Sequence, residues 1–341
     1  MEFRTFNHKH SLPELWKLRK PLLLILLSPA KIFNFLLLKI TSAFKIKRAP
    51  AHPAVLMVEA SSECDFRCPM CPRQYLDFKR KEPYMTLEVF SRLLENCGRR
   101  LMFLALWNFG EPFLNPDIFE MIKLAKKYRI IVGVSTNGSF LSESNIHKLI
   151  ESGLDYMIVC VDSDDEEIYE NYRPGGDFKK VTAGIASLIK IRDASGKKTP
   201  FVNLQSILLK DTAKRTSGLI ELGRRLKADK VSFKKVTYAN IIKKELLPAD
   251  KNCFRFTGAS SFCSRPFFGA VVLSDGDVLA CCNDLRSSRI MGNIQDEAFL
   301  SIWGNEKFKS FRAQLSVNFA EIDICKDCLS GSFSYSFSGK S

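Results

Sequence analysis

Three cysteines fall within eight residues, in the order Cys64-Asp65-Phe66-Arg67-Cys68-Pro69-Met70-Cys71. Three thiolates cannot close a tetrahedral zinc site alone, but they can hold three irons of a [4Fe–4S] cube and leave the fourth iron open to a small molecule. The plainer alternative is three structural or zinc-binding cysteines. A second set, Cys263, Cys281, Cys325 and Cys328, supplies four thiolates, enough to saturate one [4Fe–4S] cluster or one zinc ion. The chain has eleven cysteines but four histidines, His8, His10, His52 and His147, with no metal-like spacing in the folded part, so histidine-based zinc catalysis is not expected. No cleavable secretory signal is visible. A cytoplasmic chain this rich in cysteine reads as metal- or cluster-binding, not disulfide-bonded.

The elements that must position these thiolates follow a regular alternation. Apolar, β-rich runs occur at 54–60, 101–109, 130–135, 156–161, 201–209 and 230–236. Helical patterns lie between them. Thr86 caps the first, Asn115 caps the second with Pro116 in its first turn, and Ser142 opens a third that Gly153 ends. A fourth covers 178–192, and Asp211 or Thr212 opens a fifth. Six such strands separated by helices predict a parallel sheet with right-handed crossovers, either doubly wound or a partial (β/α) barrel. Beyond about residue 250 the texture changes. A hairpin is expected from 267–273 and 278–281 around Ser274-Asp275-Gly276-Asp277, then a helix near 299–315. The expected units are a leader at 1–50, a barrel at 51–248 and a C-terminal unit at 249–341.

The leader is chemically distinct. The whole chain of 341 residues has a formal net charge of +14, and the first fifty residues hold ten Lys and Arg against two acids. A basic leader points to an anionic surface, membrane or nucleic acid. Nucleic acid is disfavoured, because no aromatic–basic interleaving recurs elsewhere. No stretch reaches the ~18–20 apolar residues of a membrane span. Residues 30–45 write as an amphipathic helix, with Ile32, Phe33, Leu36, Leu37 and Ile40 on one face and Lys31, Asn34, Thr41 and Lys45 on the other. That apolar face either caps the main core or rests on the inner face of a membrane.

The cysteine triplet, placed just after the first strand of a βα-repeat chain, resembles the radical S-adenosylmethionine (SAM) superfamily. Asn108-Phe109-Gly110-Glu111-Pro112 resembles its Gly-Gly-Glu-Pro segment, with Phe109 in place of the first glycine. Ser135-Thr136-Asn137-Gly138 resembles its Thr-Asn-Gly turn, and Val159-Cys160-Val161-Asp162 its Ser-x-Asp strand end. Residues 169–178 (YENYRPGGDF) match a segment common in one large branch, and Met70 stands where an aromatic residue is frequent. Cys263 and Cys281, spaced around Gly276, resemble the opening of a SPASM module, here in a shortened, twitch-like form.

The resemblance implies a partial (β/α)6 TIM-type barrel with a small C-terminal β-hairpin/helix Fe–S domain. It implies a SAM-binding [4Fe–4S] cluster on Cys64, Cys68 and Cys71, and an auxiliary [4Fe–4S] cluster on Cys263, Cys281, Cys325 and Cys328. By the same resemblance Gly110, Glu111, Thr136, Asn137, Cys160, Asp162 and Arg173 contact SAM or its substrate, Glu111 accepting from the methionine ammonium. Cys282, beside a ligand, either donates a hydrogen atom to a substrate radical or is an inert neighbour. Cys97 and Cys160 read most simply as core residues. The implied activity is hydrogen abstraction from a small polar or sugar-like molecule, free or lipid-linked, ending in oxidation or epimerisation. Electrons would come from a donor such as flavodoxin or ferredoxin. The alternatives are a maturase of a ribosomal peptide and a non-catalytic Fe–S or zinc scaffold that binds nucleic acid.

Overall fold

The computed structural model describes residues 28–48, 50–78, 80–236, 243–253, 263–318 and 321–326, with Leu23, Ile25, Leu26, Ser336 and Phe337. Helix α1 (Pro29–Ala43) precedes β1 (Val55–Val58). The chain then alternates through α2 (Leu87–Cys97), β2 (Phe103–Leu106), α3 (Ile118–Lys127), β3 (Ile131–Thr136), α4 (Glu143–Ser152) and β4 (Tyr156–Cys160). Helices α5 (Glu166–Tyr172) and α6 (Phe178–Ala194) lead to β5 (Phe201–Ile207), and α7 (Thr216–Arg225) to β6 (Lys230–Lys234). Strands β1 to β6 pair in parallel in chain order, so all six carboxyl ends lie at one rim. The sheet is the open, partial-barrel type that the alternation predicts. A short α5 was not foreseen.

Local signals built much of this. Thr86 accepts from the amide of Val89 and Ser142 from that of Asn145, the two N-caps expected, and Gly153 ends α4 with φ of 78°. Asn115 makes the bond expected of a cap, its Oδ1 accepting from Asp117 N (2.8 Å), and it does more. Its side-chain amide donates to Ala60 O (2.7 Å) and Met85 O (2.8 Å), and α3 begins at Ile118, after a turn through Pro116 and Asp117. The side chain satisfies two buried carbonyls that nothing local reaches.

One face of the strands, including Leu56, Val58, Leu104, Leu106, Val132, Val134, Met157, Val159, Val202 and Leu204, packs under the helices as the main core. The C-terminal segment continues the same sheet. After α8 (Arg265–Phe268), β7 (Gly269–Val272) pairs in parallel with β1, Val55 opposite Gly269. Strands β8 (Asp277–Leu279) and β9 (Ile290–Asn293) follow antiparallel. The expected hairpin therefore has an unforeseen third strand. The single C-terminal helix expected near 299–315 is two, α9 (Phe299–Gly304) and α10 (Glu306–Asn318), divided at Asn305. The short helix α11 (Asp323–Lys326) carries Cys325, and the two-residue strand β10 (Ser336–Phe337) borders β6.

Helix α1 closes the base of the barrel, the end opposite the strand carboxyl termini, but with the face not expected. Lys31, Asn34 and Thr41 are buried, whereas Phe33, Leu36 and Ile40 are exposed. Lys31 Nζ donates to Leu101 O (2.6 Å), Tyr128 O (3.0 Å) and Arg129 O (2.9 Å), and Asn34 exchanges two bonds with the His52 backbone. Burial, then repulsion from Lys126 and Arg129, lowers the Lys31 pKa to about 8. Amphipathicity was legible, but the docking face was set by three carbonyls distant in sequence. Lys31→Met should strand those carbonyls and lower stability by about 1–3 kcal/mol. The check is a lower urea midpoint with an unchanged denaturant slope.

Candidate functional site

The loop after β1 carries Cys64, Cys68 and Cys71. Cys68 is buried beside Phe66, Met70, Tyr172, Leu209 and Val236, and Cys64 and Cys71 pack against the same apolar group. Burial pushes the Cys64 thiol up to about 12 and that of Cys68 to about 11, and raises Cys71 as well. A bound metal is what stabilises thiolates in so dry a shell. Among the described residues no three Cys, His, Asp or Glu side chains converge on a single-ion site. Three sulfurs spread around one apolar shell suit a cluster, whose thiolates bind separate irons, better than one zinc ion.

The segment at 169–178 holds this loop. Pro174 O accepts from Arg67 N (2.9 Å), and Arg173 Nη1 reaches Cys68 Sγ at 3.6 Å. Arg173 Nε also donates to Asp162 Oδ2 at 2.5 Å in a buried ion pair. Asp162, just past β4, is held in turn by the amide of Ile207 (2.8 Å). Gly175 (φ 99°) lies under the loop, where an added Cβ would sit 2.9 Å from Asp65 O. Expected as a SAM or substrate contact, Arg173 also braces the cluster loop.

Glu111 closes the opposite side, and it is buried. Its Oε1 accepts from Thr136 Oγ1 (2.8 Å) and Phe113 N (3.2 Å), and its Oε2 from Asn137 N (2.8 Å). Burial drives this carboxyl up to about 7 against the pull of those donors. Asn137 Nδ2 meets Asp65 Oδ1 at 2.7 Å and stands 4.0 Å from Cys64 Sγ. Thr136 and Asn137 thus orient Glu111 and the cluster loop. Gly110 is fixed by space: an added Cβ would lie 1.9 Å from Ser61 O. Phe109, in place of a glycine, tilts against Phe78 at 4.9 Å.

Sequence reasoning missed two groups on this rim. Glu59 is fully buried, and accepts from Arg80 Nε (2.8 Å) and Asn108 Nδ2 (2.7 Å). Arg80 continues to Ser287 Oγ (3.3 Å), while Ser274 Oγ donates to Glu82 O (2.7 Å). The stretch after the third cysteine is thereby stitched to the β7–β9 unit. A lone Glu and a lone Arg far apart in sequence carry no signal of such a pair.

Cys263 and Cys281 are buried and Cys325 is half-buried; Cys328 lies outside the described residues. Hydrogen bonds link the segments that carry them. Arg265 Nη1 reaches Cys282 Sγ at 3.8 Å, and Asn283 Nδ2 donates to Ile324 O at 2.5 Å, linking the Cys281 turn to α11. Asn283 N also points to Cys281 Sγ at 3.4 Å. The hydrogen bond from Cys281, then the charges of Arg265 and Lys234, lower the Cys282 thiol pKa against the effect of burial. It packs beside Met57, Val271, Leu273 and Leu279.

On the concave side of the sheet, near the strand ends, lies a polar row. Ser135 Oγ and Cys160 Sγ are 3.8 Å apart, and Gln205 Nε2 donates to Ser232 Oγ at 3.3 Å. Cys160 pairs across from Gln205, which joins the two halves. Asn203, two residues before Gln205, is buried, and its Oδ1 has no partner among the described residues. Cys160 therefore belongs to this row and not to the helix-side core, whereas Cys97 is core.

Comparison with known proteins agrees with this geometry. Residues 58–196 match the radical SAM superfamily model, and residues 263–329 match the SPASM iron–sulfur cluster-binding domain. The chain thus carries a radical SAM domain, which implies SAM and a [4Fe–4S] cluster, and a SPASM domain, which implies further Fe–S binding. It is 21% identical to a tungsten-containing aldehyde ferredoxin oxidoreductase cofactor-modifying protein of Pyrococcus furiosus, over 80% of this chain and 86% of the relative. It is 25% identical to a SAM-dependent 2-deoxy-scyllo-inosamine dehydrogenase of Niallia circulans, over 81% of this chain and 92% of the relative. The structure of SuiB from Streptococcus suis, bound to its precursor peptide SuiA, superposes with a TM-score of 0.62 at 15% identity, covering 82% of this chain and 70% of SuiB.

Proposed function

We propose that the chain abstracts a hydrogen atom from a small, polar, sugar-like substrate and oxidises it. The observation that carries this reading is the polar row of Ser135, Cys160, Gln205 and Ser232 with the open acceptor of Asn203, set on the concave face below the cluster loop. Such a row offers several hydrogen-bonding groups to a hydroxyl-rich molecule. It suits an extended apolar substrate poorly, since buried polar groups would be left unpaired. The similarity to a dehydrogenase of an amino-cyclitol-type molecule supports the same substrate class.

Cys64, Cys68 and Cys71 would hold the first cluster, which when bound to SAM supplies a 5′-deoxyadenosyl radical for hydrogen abstraction. Cys263, Cys281, Cys325 and Cys328 would hold the auxiliary cluster, an electron acceptor in a two-electron oxidation. The remaining work is done by this chain's own groups. Glu111, oriented by Thr136 and Asn137, offers its carboxylate to a cationic amine. Arg173 neutralises Asp162 and faces Cys68. The apolar group around Cys68 keeps water from the site.

The test is anaerobic reconstitution with iron and sulfide, then dithionite, SAM and deuterated polyol or amino-polyol candidates. Deuterium should appear in 5′-deoxyadenosine, and the substrate should leave as a carbonyl. A Cys68→Ala variant should form 5′-deoxyadenosine at the background rate. If the full chain does no better than that variant, the enzyme reading is wrong. Cys282→Ala should retain the oxidation; if product formation stops while 5′-deoxyadenosine still forms, hydrogen donation and epimerisation replace it. Deuterium delivered from a peptide but from no polyol would favour peptide maturation.

A further inference from the structure

The exposed face of α1 has no partner among the described residues. Phe33, Leu36 and Ile40 are more than half exposed, Leu23 and Leu26 extend the strip before the helix, and Phe44 (77% exposed) and Ile46 extend it after. A run of large apolar side chains this long marks an interaction surface. It is also firmly mounted, because the polar side of the helix is bonded to the barrel base through Lys31 and Asn34.

We propose that this face docks on an anionic lipid bilayer, base first, with the cluster-bearing rim turned away from the lipid. Charge selects this occupant. Lys39, Lys47 and Arg48 are exposed beside the strip, and Lys39 Nζ sits over the rings of Phe35 and Phe268. Residues 1–22 add Arg4, Lys9, Lys17, Arg19 and Lys20 against Glu2 and Glu14. Apolar side chains flanked by cations match the boundary between acyl chains and acidic headgroups. A second copy would set two such basic strips face to face, and residues 1–22 folding back would lay cations on cations. No helix among the described residues is long and apolar enough to cross a membrane, so contact is interfacial.

The orientation has a functional corollary. The base carries α1, whereas Cys64, Glu111, Asn137 and Asp162 follow the carboxyl ends of their strands. The anchor therefore does not bring the mouth to the lipid. Substrate and reductant arrive from the aqueous side, and a lipid-linked substrate gains no help from this contact.

The test is sedimentation of the full-length protein with phosphatidylcholine vesicles, with and without one-third phosphatidylglycerol. The protein should sediment with the anionic vesicles only, and several-fold less in half-molar salt. F33S/L36S/I40S should bind at least tenfold more weakly, with its circular dichroism and its rate of SAM cleavage unchanged. Phe44→Ser, at the most exposed position, should weaken binding by itself and covers the case that the triple variant misfolds. The proposal is overturned if the protein ignores anionic vesicles, or if the variants bind as well as the parent. It is overturned too if the lipid-free protein forms a dimer that F33S/L36S/I40S dissolves, which would assign the face to a second copy.

Discussion

Gly110→Ala should remove both the iron of the first cluster and the cleavage of SAM. The added methyl carbon would lie 1.9 Å from Ser61 O and 2.7 Å from Glu63 O, both backbone atoms that cannot swing aside. The ends of β1 and β2 must then part. Their separation breaks the bond from Glu111 N to Glu63 O, 2.7 Å in the parent. Cys64 follows Glu63 directly, so the cluster loop moves with it. Overpacking of this kind typically costs about 1–3 kcal/mol, and here it is concentrated where three thiolates must keep their spacing. We expect at least a hundredfold less 5′-deoxyadenosine and an iron content reduced to what the C-terminal site holds. A variant with parental iron and near-parental rate would show that the rim is plastic and that Gly110 is not required for its geometry.

Arg173→Ala should have the second largest effect. The guanidinium is the counter-charge of a fully buried Asp162 carboxylate and also reaches Cys68. Its removal leaves one charge uncompensated in the interior, a loss of about 3–5 kcal/mol for pairs of this kind. Urea unfolding should show that loss. Arg173→Ala combined with Asp162→Asn should recover much of the stability, because the buried charge is gone, but not the SAM cleavage, because Cys68 still lacks its cation. If the double variant recovers both, Arg173 serves the fold alone.

What the sequence made legible was what chain neighbours decide. The triplet at 64–71 and the caps at Thr86 and Ser142 depend on residues within a few positions. The six parallel strands and the rim position of the motifs followed from strand–helix alternation. What it hid was decided by partners remote in sequence. The side of α1 that docks is chosen by carbonyls near residues 101 and 129. Asn115 reads as a cap and accepts from Asp117 N as one, but its bonds to Ala60 and Met85 could not be read from the sequence. Glu59 and Arg80 find each other only once β1 and the loop after Cys71 are in place. The partner of β7 could not be named from a run of apolar residues, because a hairpin strand reads the same whichever edge it joins.

That last pairing sets a timetable for biosynthesis. Val55 is opposite Gly269, so one flank of β1 stays unpaired until the ribosome has made the whole barrel and the start of the C-terminal unit. At about 5–20 residues per second, the delay is on the order of 10–40 s. During that interval the nascent chain offers a free strand edge and, one loop further on, three unligated thiols. Iron delivery to Cys64, Cys68 and Cys71 has its widest access then, before β7 zips along β1 and the Arg80–Ser287 stitch is drawn closed. A truncated chain ending near residue 250 should therefore take up the first cluster more quickly than the finished protein, and should aggregate more readily through the same edge.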